Sequence, residues 1–185
     1  NQNGYHIVAT KQGYSTDFTT SRTSQNPNQV QPDVDVNVQQ VTIQTLAIDL
    51  LGTVQVTVTS EAGTPLGSIS VTASSAKLTA TNPDTPKNID SRLSDGNGLV
   101  IFPDFEWDSY DLIPQSGYYV ATTSPYQRVA LTPNTTLPVS LVITTDPNWP
   151  RVVSVSPTSG VSGSTIEVVV EGFNFAGNTT VVLRK

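Results

Sequence analysis

The sequence predicts an all-β fold, with β-sandwich domains following one another in series, and three observations lead there. Apolar residues nowhere recur at the i, i+3, i+4, i+7 spacing of an amphipathic helix. Short stretches dominated by Val, Ile and Thr instead alternate apolar with polar residues, and turn-forming residues separate them. A segment near the start also returns later in the chain, the mark of repeated units.

Taken in order, alternation predicts strands over Tyr5–Thr10, Val41–Ile48, Val54–Val58 and Ile69–Ala73. It continues over Leu99–Phe102, Tyr118–Thr122, Leu137–Ile143, Ile166–Val170 and Thr180–Leu183. Turns are expected at Glu61–Pro65, Asp95–Gly98 and Pro133–Asn134, where Gly, Pro, Asn and Asp supply the backbone angles that a reversal needs. Many short strands at this spacing are the pattern of a sandwich.

The repeat aligns Gly4-Tyr-His-Ile-Val-Ala-Thr-Lys-Gln-Gly-Tyr14 with Gly117-Tyr-Tyr-Val-Ala-Thr-Thr-Ser-Pro-Tyr126. An apolar strand follows each copy after a polar interval, Val41–Ile48 in one and Leu137–Ile143 in the other. The expected organisation is therefore the C-terminal part of a β-domain over 1–51, a complete β-sandwich over 52–146, and a linker with the N-terminal part of a further domain over 147–185. Thr20–Val30 is poor in apolar residues and is expected to be an exposed loop. Thr144-Thr-Asp-Pro-Asn-Trp-Pro150 is expected to be a short, semi-rigid linker.

Composition narrows the function classes. Hydrophobic residues make up 36% of the 185 residues and charged residues only 13%, against an ordinary charged share of about 25%. Ser, Thr, Asn and Gln take the place of charge, as on many secreted and cell-surface β-proteins. A net charge of −6 with nine scattered basic residues argues against nucleic acid, which is bound by clustered Lys and Arg. The absence of Cys removes disulfides, thiolate zinc sites and cysteine nucleophiles. No apolar run approaches the roughly 20 residues of a membrane helix. The chain does not begin with Met and reads as an internal or processed piece of something longer. Incomplete end domains would then reflect either truncation or completion by strands from neighbouring chains.

Gly52-Thr-Val-Gln-Val-Thr-Val58, Gly63-Thr-Pro-Leu-Gly-Ser-Ile-Ser-Val-Thr-Ala73, Ser94-Asp-Gly-Asn-Gly98 and Gly117-Tyr-Tyr-Val-Ala121 follow one order. In that order they resemble the carboxypeptidase-regulatory-like and Cna-B-like domains, over about half the chain. The resemblance implies a prealbumin-like β-sandwich of the kind found in stalks and spacers of bacterial surface proteins, pilins and adhesins, without catalysis. Some Cna-B-like domains carry a Lys–Asn isopeptide cross-link from a lysine in the first strand; Val54–Thr59 contains no lysine, so the resemblance implies no such link here. Pro150–Ile166, with Ser156-Pro-Thr-Ser-Gly160, and Glu171-Gly-Phe-Asn-Phe175 resemble the start of an IPT/TIG immunoglobulin-like domain. The series as a whole is also similar to the ectodomains of large bacterial pilin-like proteins.

Candidate chemistry is sparse. In Ser94-Asp-Gly-Asn-Gly-Leu-Val-Ile-Phe-Pro-Asp-Phe-Glu-Trp-Asp108, continuous strand alternation puts Asp104, Glu106 and Asp108 on one side and Phe105 and Trp107 on the other. The acids are read as a solvated face and the aromatics as core, with a glycosidase-like acid–base pair as the alternative. Asp95–Gly98 is superficially similar to a calcium loop but lacks its ligand spacing, and is read as a turn. Asp33-Val-Asp-Val-Asn-Val38 offers oxygens at alternate positions and is read as a half-buried strand with a polar outer face, a cation being the alternative. His6, the one histidine, is placed on a sheet face. Gly160–Gly163 lacks the lysine of a phosphate loop. Asn134 and Asn178 match the glycan-acceptor pattern. Trp107, Trp149, Tyr118 and Tyr119 are read as packing residues, with one of the adjacent tyrosines exposed and open to a sugar.

No catalytic, cofactor-binding or metal-ligating residue is assigned. The architectural residues are Gly63, Pro65, Gly98 and Gly117 in turns, Phe102, Phe105 and Trp107 in a core, and Pro157 and Gly160 in the last domain. The expectation is a non-enzymatic structural segment of an extracellular bacterial stalk, filament or adhesin at the cell surface. Its expected partners are other protein domains or copies of the same chain, and neither nucleic acid nor a membrane span is expected. The alternative is an accessory module of a secreted enzyme, with carbohydrate as partner.

Overall fold

Valines at alternate positions of Gly52–Thr59 (β5, the fifth strand) all lie inward, with Val54, Val56 and Val58 fully buried. That two-residue period is the pleat of a strand with one face in a core. The computed structural model describes residues 2–21, 31–78, 85–161, 163, 165–177 and 180, and they form strands and turns without a helix. None of the described residues therefore belongs to a helix long and apolar enough to cross a membrane.

Before β5 come four short strands: β1 (Gln2–Tyr5), β2 (Val8–Ala9), β3 (Asp17–Phe18) and β4 (Val34–Val36). They form two small antiparallel pairs, β1 with β4 and β2 with β3. After β5 follow β6 (Ser70–Ser75), β7 (Ile89–Leu93), β8 (Leu99–Phe105), β9 (Asp108–Pro114), β10 (Tyr119–Ser124), β11 (Val129–Leu131) and β12 (Thr136–Thr144). These eight make two four-stranded sheets, ordered β10-β12-β5-β8 and β11-β9-β6-β7. The last described pair is β13 (Arg151–Ser156) with β14 (Val169–Phe173).

The two larger sheets share a single core. Val54, Val56, Val58, Phe102, Leu141 and Ile143 from one meet Val71, Ala73, Tyr110, Leu112, Val129 and Leu131 from the other. Two sheets with one buried layer between them have the character of a β-sandwich. Phe102, Phe105 and Tyr110 are stacked through it, with ring centroids 5.3 and 4.9 Å apart. Trp107 stands outside this cluster, so of the three aromatics expected in the core only Phe102 and Phe105 are there.

The parallel partner of β5 is β12, in register from Thr136 beside Thr53 to Val142 beside Thr59. Pro138 lies inside β12 because β10 pairs only as far as Ser140, so no neighbour on that side lacks a donor. Pro103 lies in β8, an edge strand, for the same reason.

Several expected strands take a different form. Val41–Ile48 is not a strand, and Val41 and Ile43 are 90% and 85% exposed. Alternation there supplies propensity, but among the described residues no strand pairs with it, and propensity without a partner does not hold a strand. The repeated segment is one strand in its second copy, β10, while in the first copy it is divided between β1 and β2. Residues 22–30 of the expected loop and 181–183 of the expected last strand lie outside the described residues, as does Asn178.

The turn at Asp95–Gly98 is built from one carboxylate. Asp95 Oδ1 accepts from the amides of Asn97 (2.9 Å) and Leu99 (2.8 Å), while Gly98 N donates to Asp95 O. Gly98 has φ +78°, and a Cβ on it would lie 2.3 Å from Val58 O. Gly98→Ala should therefore cost about 2 kcal/mol or more in urea unfolding. Gly96→Ala, where a Cβ meets open space, should stay within about 0.5 kcal/mol. Equal losses at the two positions would show that the close approach to Val58 is not what requires glycine.

Candidate functional site

The acidic stretch does not alternate, because the chain leaves the strand path at Asp104. Asp104 has φ +56°, and the β5–β8 register slips there, with Gly52 opposite Phe105 but Val54 opposite Phe102. Such a bulge turns the following side chains. Phe105 and Glu106, adjacent in sequence, are consequently both buried, at 6% and 7% exposure. Glu106 is thus not part of a solvated face; Asp104 is exposed, and Asp108 opens β9 after a break.

Buried, Glu106 must find its partners inside the protein. Its Oε2 is 2.6 Å from Lys87 Nζ, with both side chains largely buried. Its Oε1 accepts from Thr16 N (2.9 Å) and Thr16 Oγ1 (2.8 Å). Lys87 Nζ also donates to Thr16 O and lies 5.4 Å from the centre of the Phe18 ring. Thr16 precedes β3, so this cluster fastens the N-terminal segment to the corner between β8 and β9. Backbone bonds tie Thr16's neighbours to the stretch that leads into β5: Ser15 N donates to Asp49 O (2.7 Å) and Leu51 N to Gly13 O (3.0 Å).

A second lysine flanks the joint. Lys77 Nζ donates to Trp107 O (2.8 Å) and sits 3.0 Å from the centre of the Trp107 ring, while Lys77 N donates to Asp108 Oδ2 (2.8 Å). Burial pushes the Lys77 amine below its ordinary range, and Asp108 opposes that shift. Burial, reinforced by the charges of Asp108 and Glu106, raises the Tyr110 phenol, whose hydroxyl donates to Glu106 O (2.7 Å). Burial would raise the Glu106 carboxyl too, but hydrogen bonds from Lys87 and Thr16 outweigh it and hold the group below 4.5. A carboxylate so occupied has no proton to give and no lone pair turned to a substrate; its chemistry is attachment.

His6 follows β1 in a short connection, half-exposed, with Nδ1 3.2 Å from Asp33 Oδ1. Asp33 also accepts from Thr19 Oγ1 (2.8 Å) and Ser21 Oγ (2.6 Å). Burial works to raise the Asp33 carboxyl, and these hydrogen bonds together with His6 bring it below its usual value. The hydroxyls point at the carboxylate, whereas a catalytic triad runs from nucleophile to imidazole to carboxylate. In Asp33–Val38 only Val34 is buried, and Asp35 Oδ1 accepts from Gly4 N (3.0 Å). Among the described residues no three His, Asp or Glu side chains are grouped to hold a metal ion.

Tyr118 and Tyr119 line a cleft between the sandwich and the β13–β14 pair, joined there by Phe173. Trp149 is partly exposed in the linker, where its amide donates to Asp146 O (3.2 Å). Asn134 sits in a turn, with its amide 3.2 Å from Leu50 O. Sequence reasoning missed Lys87 and Thr16, which lie 19 and 90 residues from Glu106 in the chain. The one signal for them was an acid set between Phe105 and Trp107, since charge inside an aromatic run needs a partner when it is buried. Compared with protein-family models, with curated proteins and with solved structures, the chain matches none.

Lys87→Met leaves Glu106 buried without its cation and should cost about 3–5 kcal/mol in denaturant unfolding. Lys87→Met combined with Glu106→Leu should cost less, because no charge is then stranded. Since folding lowers the Glu106 pKa, its contribution is complete above pH 4.5 and is lost as pH falls through the lowered folded value. Stability of the native chain should therefore drop on acidification below that pH, and Glu106→Gln should flatten this part of the curve.

Proposed function

We propose that the chain is a non-enzymatic structural segment of an extracellular bacterial stalk, filament or adhesin, in which all-β units in series act as a spacer or assembly module. The observation that carries this reading is the Thr16–Glu106–Lys87 joint, in which Thr16 of the segment before the sandwich hydrogen-bonds to a buried ion pair that belongs to the sandwich. A spacer must hold its length, and joints of this kind restrict bending between successive units. The linker after β12 supports the same reading. Asp146 N donates to Thr144 Oγ1 (3.0 Å), Asn148 N to Asp146 Oδ1 (2.8 Å), and Asn174 Nδ2 to Pro147 O (3.1 Å).

Resemblance adds support. The order of the quoted stretches from Gly52 to Ala121 resembles that of regulatory-like and Cna-B-like domains, and Pro150 to Phe175 resembles the start of an IPT/TIG domain. On this reading 1–51, 52–146 and 147–185 belong to three successive prealbumin-like or immunoglobulin-like units. A surface carried by Ser, Thr, Asn and Gln suits the outside of a cell, and the partners are neighbouring domains or further copies of the chain.

The chain has no cysteine, so spin labels can be attached at introduced ones. Thr10→Cys with Asn97→Cys places labels on either side of the joint, both at exposed positions. Double electron–electron resonance should give one narrow distance distribution, which Lys87→Met broadens. A broad distribution in the parent pair would overturn the spacer reading.

A further inference from the structure

The turn that leads into β8 reads Asp95-Gly-Asn-Gly98, and its Asn97–Gly98 pair sets a carboxamide next to a backbone nitrogen that no Cβ shields. Asn97 is exposed at the tip, whereas Gly98 is buried against β5. Of Gly96, Asn97 and Gly98 only Gly98 has a positive φ, and Gly98 N donates to Asp95 O (2.9 Å). Gly96 and Asn97 are therefore the central pair of a type I turn, whose second member keeps ψ at about 0°.

For the Asn97 side chain to close onto Gly98 N, the Asn97 Cα–C bond must turn by roughly 120°, because ring closure puts Cβ and that nitrogen on one side of the bond. The turn's own bonds oppose the rotation. Gly98 N would leave Asp95 O, and Leu99 N would leave Asp95 Oδ1 (2.8 Å), which also holds the Asn97 amide (2.9 Å). Gly98 O would leave Val58 N (2.8 Å). Gly98 itself lies so close to β5 that a Cβ on it would stand 2.3 Å from Val58 O. Two groups that are neighbours in the chain are thus kept from reacting by the fold.

We infer that Asn97 is a modification site of this chain, guarded by the closed turn and converted when the turn lifts from β5. Gly98 N attacks Asn97 Cγ, the Cγ–Nδ2 bond breaks, and the amide proton leaves with Nδ2 as ammonia. Water then opens the succinimide at either carbonyl, giving aspartate or isoaspartate, and no other reactant is needed. The isoaspartyl product routes the main chain through the side chain and is one carbon longer. Gly98 then no longer reaches Val58 in the same register, and a new carboxylate lies beside Asp95. An opening of this hairpin is made permanent and leaves a chemical record. This inference goes beyond the spacer role and does not depend on it.

The test holds the full chain at mildly alkaline pH in buffer and in denaturing urea, and follows Asn97 by mass-spectrometric peptide mapping. Conversion should be about tenfold or more faster in urea, because in buffer it waits on local opening. The mass gain reports Asn97 and not its neighbour, since isomerisation at Asp95 leaves the mass unchanged. Asp95→Ala, shown to be folded by its amide NMR spectrum, should convert about tenfold faster than the parent in buffer, having lost both carboxylate bonds. The parent comparison needs no variant and decides the guard by itself if Asp95→Ala does not fold. The purified isoaspartyl form should unfold at lower urea than Asn97→Asp, which carries the same charge on an unlengthened backbone. Equal rates in buffer and urea, no conversion in either, an unchanged rate in folded Asp95→Ala, or an isoaspartyl form as stable as Asn97→Asp would each overturn the proposal. None of these outcomes bears on the distance measurement that tests the spacer.

Discussion

A carboxylate withdrawn from water has to be matched by donors from the protein itself, and Glu106 is where this chain meets that constraint. The bulge at Asp104 sends Phe105 into the sandwich and Glu106 toward the N-terminal segment from one short piece of backbone. One side chain completes the aromatic stack with Phe102 and Tyr110, and the other gathers Lys87 and Thr16. Core and joint therefore depend on the same local geometry. A change that straightened β8 would move both.

Around this point the electrostatics are mutual. Lys87 is held by Glu106, Lys77 by Trp107 and Asp108, and the two ammonium groups lie near enough for each acid to act on Lys77. Tyr110 closes the arrangement from inside the core, its hydroxyl bonded to the backbone oxygen of Glu106. Removing any single charge leaves the others partnered for a geometry that no longer exists. Desolvation consumes much of the attraction in such a cluster, so removing one partner costs more than the intact pair contributes.

Much of the sandwich was legible in the residues. Val54–Val58, Leu99–Phe102 and Leu137–Ile143 show alternation and fall within β5, β8 and β12, Ile69–Ala73 overlaps β6 from Ser70 on, and Asp95–Gly98 is a turn. β7 was hidden because an edge strand exposed on nearly every residue needs no apolar pattern. β9 was hidden because Asp104, Glu106 and Asp108 were taken as one continuous alternation, and a bulge leaves no mark in periodicity. Val41–Ile48 shows the reverse failure, a pattern with which no strand pairs among the described residues. The joint was out of reach for a different reason. Its partners come from three separated parts of the chain, and nothing local in Thr16 or Lys87 marks them as buried.

The scarcity of charge gives these placements their meaning. With 13% charged residues, most polar work falls to hydroxyls and amides: Ser94 Oγ accepts from Ile69 N and donates to Leu66 O, and Thr72 meets Ser91 across β6 and β7. Among the described residues the ion pair with both side chains largely buried is Lys87 with Glu106, where Thr16 meets the sandwich, whereas His6–Asp33, Arg92–Asp90 and Arg128–Asp111 each have an exposed member. Charge in water is weak and screened by salt, whereas charge at a buried seam is screened much less. Thr16, which reaches that pair from the N-terminal segment, is therefore bonded to charges that salt screens little.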